Sequence, residues 1–355
     1  MDLITALLFG LSLATKLHGF FLFFAMTVWA LIFYRKKMKN LLYIFIIGVI
    51  IFFACWPYFW TTPVTSFKEY VSFLLRVPVN SVYYLGRAYG DRVAPWHYPF
   101  VLTCVVVPAH FLLLSALGVW RTFKERDGIR WLILINAFVP IFFVALPGSL
   151  KYDGARLFSP SFPFIAMLAG IGFDILSKTV KSKIKAKKMS AEYALLAVFL
   201  LPALFVLVRA YPCHQAYYNM FIGGARGAEK LGMETTYWGS EINKKFLDYL
   251  NGVAKPGARM KFLPVSPQAL KEAGIKNTSA LPWVVNYYQA RGLLRKDILL
   301  YESPPYDYIV LQSRQGYFDK YCWRLYDGEY ENARKIHSVT CDGVPLVSVY
   351  EMEKR

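Results

Sequence analysis

The chain has 355 residues, of which 56% are apolar, and its formal net charge is +18. The apolar share is higher than in an ordinary soluble domain, and the excess lies in long runs between Leu3 and Ala210. A large share of the basic excess lies in three short segments between these runs, at residues 35–39, 121–130 and 178–188. No RNA- or DNA-reading motif accompanies this charge, so we expect no nucleic-acid partner and assign the basic loops to the cytoplasmic face of a membrane.

Seven apolar runs are candidate membrane helices, since a span needs about 20 apolar residues, although the first run is short. They cover residues 3–14, 20–34, 41–59, 98–120, 131–146, 158–176 and 193–209. With the basic loops inside, the linkers 60–97 and 147–157 and everything after residue 211 fall outside. We therefore predict a multispan α-helical bundle over residues 1–210 in a bacterial cytoplasmic membrane, followed by an extracytoplasmic α/β domain over residues 211–355.

Residues 66–76 of the outer linker have apolar side chains at helical spacing, which predicts an amphipathic helix along the membrane surface. In the C-terminal domain we predict helices over 243–250 and 267–273, and strands over 259–265, 308–312, 335–340 and 346–352. Asp342-Gly343 is a hairpin signal between the last two strands. A disulfide between Cys322 and Cys341 is the preferred pairing outside the cytoplasm, with free buried thiols as the alternative.

Charged residues near the outer ends of spans are candidates for function, because a charge at membrane depth is costly. Lys16 and His18 lie between the first two apolar runs, where Lys16 could bind a lipid-linked phosphate or simply extend its amine to the interface. Arg156 precedes a later span, and its planar fork suits bidentate phosphate binding. Lys151 and Asp153 lie just before it, and Asp153 is expected to orient Arg156 or Lys151. An ordinary interfacial anchor is the alternative.

Further candidates lie near the outer end of the fourth run. His97 could serve as an acid, a base or a phosphate contact, or make only a structural hydrogen bond. Tyr98 follows it, and Arg87 and Asp91 lie upstream in the same linker. Glycines at residues 223–227, between the motifs at 217–219 and 237–239, indicate either a tight join between domain and bundle or part of a sugar pocket.

Four motifs together resemble those of the membrane glycosyltransferases of the GT-C fold. The first three are Thr15-Lys16, the P-W-H-Y-P of residues 95–99 and the Y-D-G-x-R of residues 152–156. The fourth combines the Y-Y-N of residues 217–219, the glycines of residues 223–227 and the Y-W-G of residues 237–239. More narrowly, the chain resembles bacterial relatives of the dolichyl-phosphate-mannose protein mannosyltransferases and the aminoarabinose lipid A transferases. The resemblance covers residues 3–251.

The resemblance implies a GT-C-like enzyme that transfers a sugar from a polyprenyl-phosphate carrier to a lipid, glycan or protein acceptor at the outer face. By this analogy Lys16 and Arg156 hold the carrier phosphate, where negative charge develops, and His97 and Tyr98 line the cavity. The family's catalytic carboxylate lies in a first outer loop that has no counterpart here, and Asp91 is a weak substitute. The chain is thus expected to match the C-terminal portion of such an enzyme, with a separate N-terminal half as partner. A divalent cation stays open as a cofactor.

Two other classes of function are weighed against the enzyme. A non-catalytic membrane subunit that binds a polyprenyl phosphate or glycolipid for a partner is favoured by the missing carboxylate loop. A transporter is a weaker alternative, because transporters tend to have internal repeats and mid-membrane polar residues. This chain shows no repeat, and its notable polar residues cluster at the outer ends of spans.

Overall fold

The computed structural model describes residues 2–75, 80–183, 188–264, 287–300 and 304–353. The chain divides into two compact units. The N-terminal unit comprises Met1–Pro78, Pro95–Leu150 and Ala155–Leu200, and the C-terminal unit comprises Val79–Ala94, Lys151–Gly154 and Leu201–Arg355. The C-terminal unit thus takes in two short segments from the predicted outer linkers. The predicted helix 267–273 lies outside the described residues.

Apolar helices make up most of the chain before residue 210. They are α1 (Asp2–Thr15), α2 (Phe20–Phe33), α3 (Met38–Cys55), α4 (Pro63–Leu75), α5 (Tyr98–Val106), α6 (Ala109–Glu125), α7 (Gly128–Ala145), α8 (Phe162–Lys183) and α9 (Lys188–Arg209). Within the described residues, α3, α7, α8 and α9 are long and apolar enough to cross a membrane, and α5 with α6 is a fifth candidate as a bent pair. The helices α1 and α2 are apolar but shorter. The described residues therefore include the apolar helices expected of a membrane protein, and the number that cross the membrane stays a prediction.

The predicted span over residues 98–120 is not one continuous helix, because α5 and α6 meet at an angle of 115°. The break falls at Val107 and Pro108. Val107 is extended (φ −80°, ψ 134°), as expected for a residue before proline, since the proline ring disfavours the helical conformation there.

The bend is followed by close packing of α6 on α8. A Cβ added to Gly118 of α6 would lie 2.0 Å from the backbone oxygen of Leu168, and one on Gly172 of α8 would lie 1.9 Å from that of Leu114. The Ser115 hydroxyl lies 2.9 Å from the backbone oxygen of Ile165. Small residues let the two backbones touch, which is a common means of helix association in membranes. The ion pair of Arg121 with Asp174, at 2.6 Å, links the same two helices.

The C-terminal unit is built on a five-stranded sheet. Its strands are β3 (Arg259–Leu263), β4 (Leu299–Leu300), β5 (Tyr308–Gln312), β6 (Ala333–Cys341) and β7 (Val344–Met352), in the order β4-β3-β5-β7-β6. The first three strands pair in parallel, whereas β7 is antiparallel to both β5 and β6. The predicted strands and the hairpin turn at Asp342-Gly343 are confirmed. A separate hairpin of β1 (Ser81–Tyr84) and β2 (Arg87–Gly90) belongs to the same unit.

In the described part of the unit, the helices that accompany the sheet include α10 (Gly224–Lys230), α11 (Lys244–Val253) and α12 (Lys320–Tyr326). The helix α11 buries Phe246, Leu247 and Leu250 in a cluster with strand residues such as Val310 and Val349. Burial of this apolar face, together with capping by Asn243, whose side chain accepts from the Phe246 N–H at 3.3 Å, accounts for the predicted helix.

The preferred Cys322–Cys341 disulfide is not formed. Both are free cysteines, and they pack against different apolar clusters of the C-terminal unit. Cys322 of α12 is buried with Leu325 and Ile309. Cys341, at the end of β6, packs in the cluster that contains Cys213. The structure therefore has free thiols at Cys322 and Cys341, which was the alternative to the disulfide.

Candidate functional site

A sharp turn between α1 and α2 carries Lys16 and His18. It spans Leu17–Gly19, and the Gly19 N–H donates to the Lys16 oxygen at 2.9 Å. A Cβ on Gly19 would lie 2.6 Å from the Ser12 hydroxyl, so the turn folds tightly against the end of α1. Lys16 is exposed and His18 is half-buried. The turn therefore presents a cation and an imidazole at one end of a helix pair.

Arg156 lies in the N-terminal unit as well, on the approach to α8. The Ser159 hydroxyl donates to the backbone oxygen of Arg156 at 3.0 Å, which fixes the main chain before the helix begins. Although Lys16 is exposed, partial desolvation by the surrounding chain and then the positive charge of Arg156 lower its pKa. Burial, followed by the charges of Lys16 and Arg156, lowers the pKa of His18 to about 4. The three side chains therefore share one electrostatic environment, although Arg156 is far from the other two in sequence.

This group of Lys16, His18 and Arg156 is called the cationic cluster. Two like charges brought together repel each other, and a bound anion would remove the repulsion. The guanidinium offers paired N–H donors to a phosphate, and the ammonium acts as a compact point charge. His18 is neutral at pH 7 on this basis and can donate or accept a hydrogen bond. The arrangement suits a phosphate group.

His97 and Tyr98 lie at the start of α5 in the N-terminal unit. The His97 backbone oxygen accepts from the Val101 N–H at 2.9 Å, and the Trp96 and His97 rings lie 5.7 Å apart. Tyr98 is 2% exposed, so its ring is a packing element of the bundle. The role of the His97 imidazole, whether chemical or structural, stays a prediction.

The C-terminal unit contains a second group of charged residues around Asp153. Its Oδ1 pairs with Arg314 at 2.6 Å, and its Oδ2 accepts from the Trp238 indole at 2.8 Å. Arg314 also donates to the Tyr237 backbone oxygen at 2.8 Å. Asp153 has a φ of +55°, which an aspartate tolerates better than most residues. The expectation that Asp153 orients Arg156 or Lys151 stays a prediction.

Glu234 lies inside the same group. It is 2% exposed, and its carboxyl accepts the Gly316 backbone N–H at 3.2 Å. Burial raises the pKa of Glu234 to about 7, against the opposing effect of the Arg314 charge. Sequence reasoning missed both Glu234 and Arg314. For Arg314 the sequence carries one signal, the polar segment of residues 312–315 directly after an apolar strand, and for Glu234 we find no local signal.

Asp91 and Lys151 are both buried in the C-terminal unit. They are 0% and 1% exposed, and the Asp91 Oδ2 accepts the Asn80 N–H at 3.1 Å. Burial raises the pKa of Asp91; burial also lowers the pKa of Lys151, while the Asp91 charge opposes that shift. Asp91, the weak candidate for a catalytic base, is thus enclosed. Arg87 lies nearby in sequence on β2 and is exposed.

The glycine motif forms a compact local turn in the C-terminal unit. The Asn219 side chain accepts the Phe221 N–H at 3.0 Å, and Gly223 and Gly224 adopt φ values of +80° and +67°. A Cβ on Gly227 would lie 1.4 Å from the Ile222 oxygen, so a larger residue does not fit. The glycines are therefore required by the turn itself, and a role in a sugar pocket stays a prediction.

Among the residues that the structure describes, no group of three or more His, Cys, Asp or Glu side chains is arranged to hold a metal ion. Comparison of the chain with models of known protein families finds no match, and neither does a search of curated proteins.

Proposed function

We propose that the chain binds a polyprenyl phosphate through the cationic cluster and takes part in transferring the attached sugar to an acceptor, in the manner of GT-C glycosyltransferases. The observation that carries this is the shared environment of Lys16, His18 and Arg156 in one unit. The motifs that contain Lys16 and Arg156 are also two of those on which the resemblance rests.

The phosphate would be held by charge and geometry together. Arg156 supplies two parallel N–H donors, Lys16 supplies a point charge, and neutral His18 supplies one further hydrogen bond. As the sugar departs, negative charge grows on the carrier phosphate, and fixed cations stabilise that charge more than the starting state. The apolar helices α1 and α2 on either side of the turn suit the polyprenyl chain.

A non-catalytic role is favoured by one specific observation. Asp153 is 8% exposed at its side chain and pairs with Arg314, and Asp91 is 0% exposed. Neither carboxylate is available to remove a proton from an acceptor hydroxyl, which is what a general base must do. The alternative is therefore a subunit that binds the carrier for a partner enzyme, and sugar transfer by the purified chain alone would contradict it.

The direct test is native mass spectrometry of the full chain in detergent, with a short-chain polyprenyl phosphate against the matching alcohol. We expect binding that depends on the phosphate. Arg156→Ala should weaken it about ten- to a hundredfold, because a charge-assisted contact contributes about 1.5–3 kcal/mol.

Arg35→Ala is the matched control, since Arg35 follows the other end of α2 and is exposed. It should bind the phosphate as the wild type does. Equal binding of phosphate and alcohol by the wild type, or unchanged binding by Arg156→Ala, would remove the cationic cluster from the proposal.

A further inference from the structure

The second half of α9 belongs to the C-terminal unit and is exposed along its apolar surface. Phe205 is 64% exposed and Val208 is 78% exposed, and none of the window Glu192–Arg209 is buried. Such a surface is unfavourable in water and favourable in hydrocarbon. Arg209 ends the helix and its side chain is 66% exposed, which marks the level where the hydrocarbon gives way to the headgroups.

Exposed apolar side chains continue beyond the helix. Tyr211 is 76% exposed, and Met220 and Phe221 are 80% and 57% exposed. Met220 and Phe221 lie on the turn Met220–Ile222, which the Asn219 side chain caps. Aromatic side chains such as those of Tyr211 and Phe221 are commonly found at membrane interfaces. We therefore take the turn to lie at the same membrane level as the end of α9.

A pocket of about 500 Å³ opens beside this turn and is lined by Arg209, Gly223, Arg226 and Asp342. The Arg209 guanidinium donates to the Asp342 carboxylate at 2.7 Å. The Arg226 Nε–H is directed at the backbone oxygen of Asp342, which is an uncharged acceptor. Two guanidinium groups and one carboxylate give the pocket a net positive charge of one.

We propose that this pocket binds the phosphate of an anionic phospholipid, with Met220 and Phe221 inserted among its acyl chains. Arg226 would supply the paired donors to the phosphate, since its contact with Asp342 leaves its charge uncompensated. The Asp342 carboxylate repels an anion, but its charge is already paired with Arg209. The adjacent apolar turn favours a lipid over a free phosphate, because only the lipid offers hydrocarbon to Met220 and Phe221.

The proposal is independent of the cationic cluster, which lies in the other unit. It is tested on the full chain in detergent by native mass spectrometry with dioleoyl phosphatidylglycerol and dioleoyl phosphatidylcholine. We expect phosphatidylglycerol to be retained about tenfold better, the size of effect that one charge-assisted contact gives. Arg226→Gln should abolish the preference. The exposed Arg324, on α12, provides the matched control Arg324→Gln, which should keep it.

Phe221→Ser separates the apolar contribution from the charge. It should lower retention of both lipids while phosphatidylglycerol stays preferred. Circular dichroism of each variant checks that the fold is kept. Equal retention of the two lipids by the wild type overturns the proposal, as does a preference that survives Arg226→Gln. Displacement of the lipid by equimolar glycerol 1-phosphate also overturns it, because the site would then recognise a soluble phosphate.

Discussion

Glu234 is a buried carboxyl group whose protonation is linked to the stability of the C-terminal unit. Its pKa is about 7 in the folded chain, well above the usual 4.5 of a glutamate. Between these two values the folded state binds more protons than the unfolded state, so stability falls as pH rises. The stabilisation from protonated Glu234 is fully present below pH 4.5 and fully lost above pH 7. A shift of this size corresponds to about 3 kcal/mol.

We therefore expect the unfolding temperature of the wild type to fall by roughly 5–10 °C between pH 5 and pH 7.5. Glu234→Gln should lose most of this slope, because the amide does not titrate and retains an acceptor oxygen for the Gly316 N–H. Tryptophan fluorescence during heating of the full chain measures both. The variant Glu329→Gln, which changes an exposed glutamate, should keep the wild-type slope. The same slope in Glu234→Gln would show that another group is responsible.

At the level of elements, the α6–α8 pair depends on two glycines that bring backbone against backbone. Gly118 and Gly172 each leave no room for a methyl group, since the nearest atom in each case is a main-chain oxygen of the other helix. A side chain can rotate away from a new methyl group, but a helix backbone moves only as a whole. The contact also sets the separation at which Arg121 meets Asp174.

Gly118→Ala should destabilise the N-terminal unit by about 1–3 kcal/mol, the usual cost of overpacking a tight contact. Denaturant titration of the full chain in detergent measures the loss. Gly170→Ala is the matched control on α8, since an added Cβ there meets nothing within 4 Å, and it should be neutral or slightly stabilising. Equal effects of the two changes would show that helix propensity, not contact, decides.

Element types were largely predictable from local pattern. The strand over residues 308–312 follows from a short apolar run with β-branched residues, and the Asp342-Gly343 hairpin follows from turn chemistry; the structure has both. The α5–α6 break was signalled by Pro108, but a hydropathy reading counts apolar residues and is insensitive to a change of direction. The hairpin of β1 and β2 was missed because four-residue strands give too short a pattern.

The candidate site residues also differ in how far local sequence patterns indicate their partners and their burial. The motif resemblance brings Lys16 and Arg156 together as phosphate ligands, and that joint role stays a prediction. The pairing of Asp153 with Arg314 joins residues 161 apart in the sequence, and no local pattern carries that information. Burial was not predictable either, since nothing near Asp91 or Lys151 shows that both are enclosed.

At the scale of the whole molecule, the composition of the C-terminal unit bears on membrane topology. It comprises Val79–Ala94, Lys151–Gly154 and Leu201–Arg355. Apart from the end of α9, the charge distribution of the loops assigns these segments to the outer side. A compact unit outside the bilayer must lie on one side of it. This grouping fits a domain whose parts lie on one side of the membrane, and the extracytoplasmic side stays a prediction.

A reporter fused after Arg355 tests that position. An alkaline phosphatase fusion, which needs an oxidising compartment, should be active, and a cytoplasm-dependent fluorescent fusion should be dark. The two fusions serve as mutual controls, because both depend on expression of the same chain. The opposite pair of results would place the domain in the cytoplasm and remove the proposed donor site from the outer face.

The strand order of the sheet also bears on how the chain is made. The last strand, β7, lies between β5 and β6 rather than at an edge, so the sheet cannot close until residue 352 has been synthesised. The segments at 79–94 and 151–154 leave the ribosome much earlier and have no complete sheet to join. We therefore expect the apolar helices to be inserted before the sheet forms. The segments at 79–94 and 151–154 can pack into the C-terminal unit only after the rest of that unit has been synthesised. Premature termination within β7 would leave a membrane-embedded chain with an open, aggregation-prone sheet.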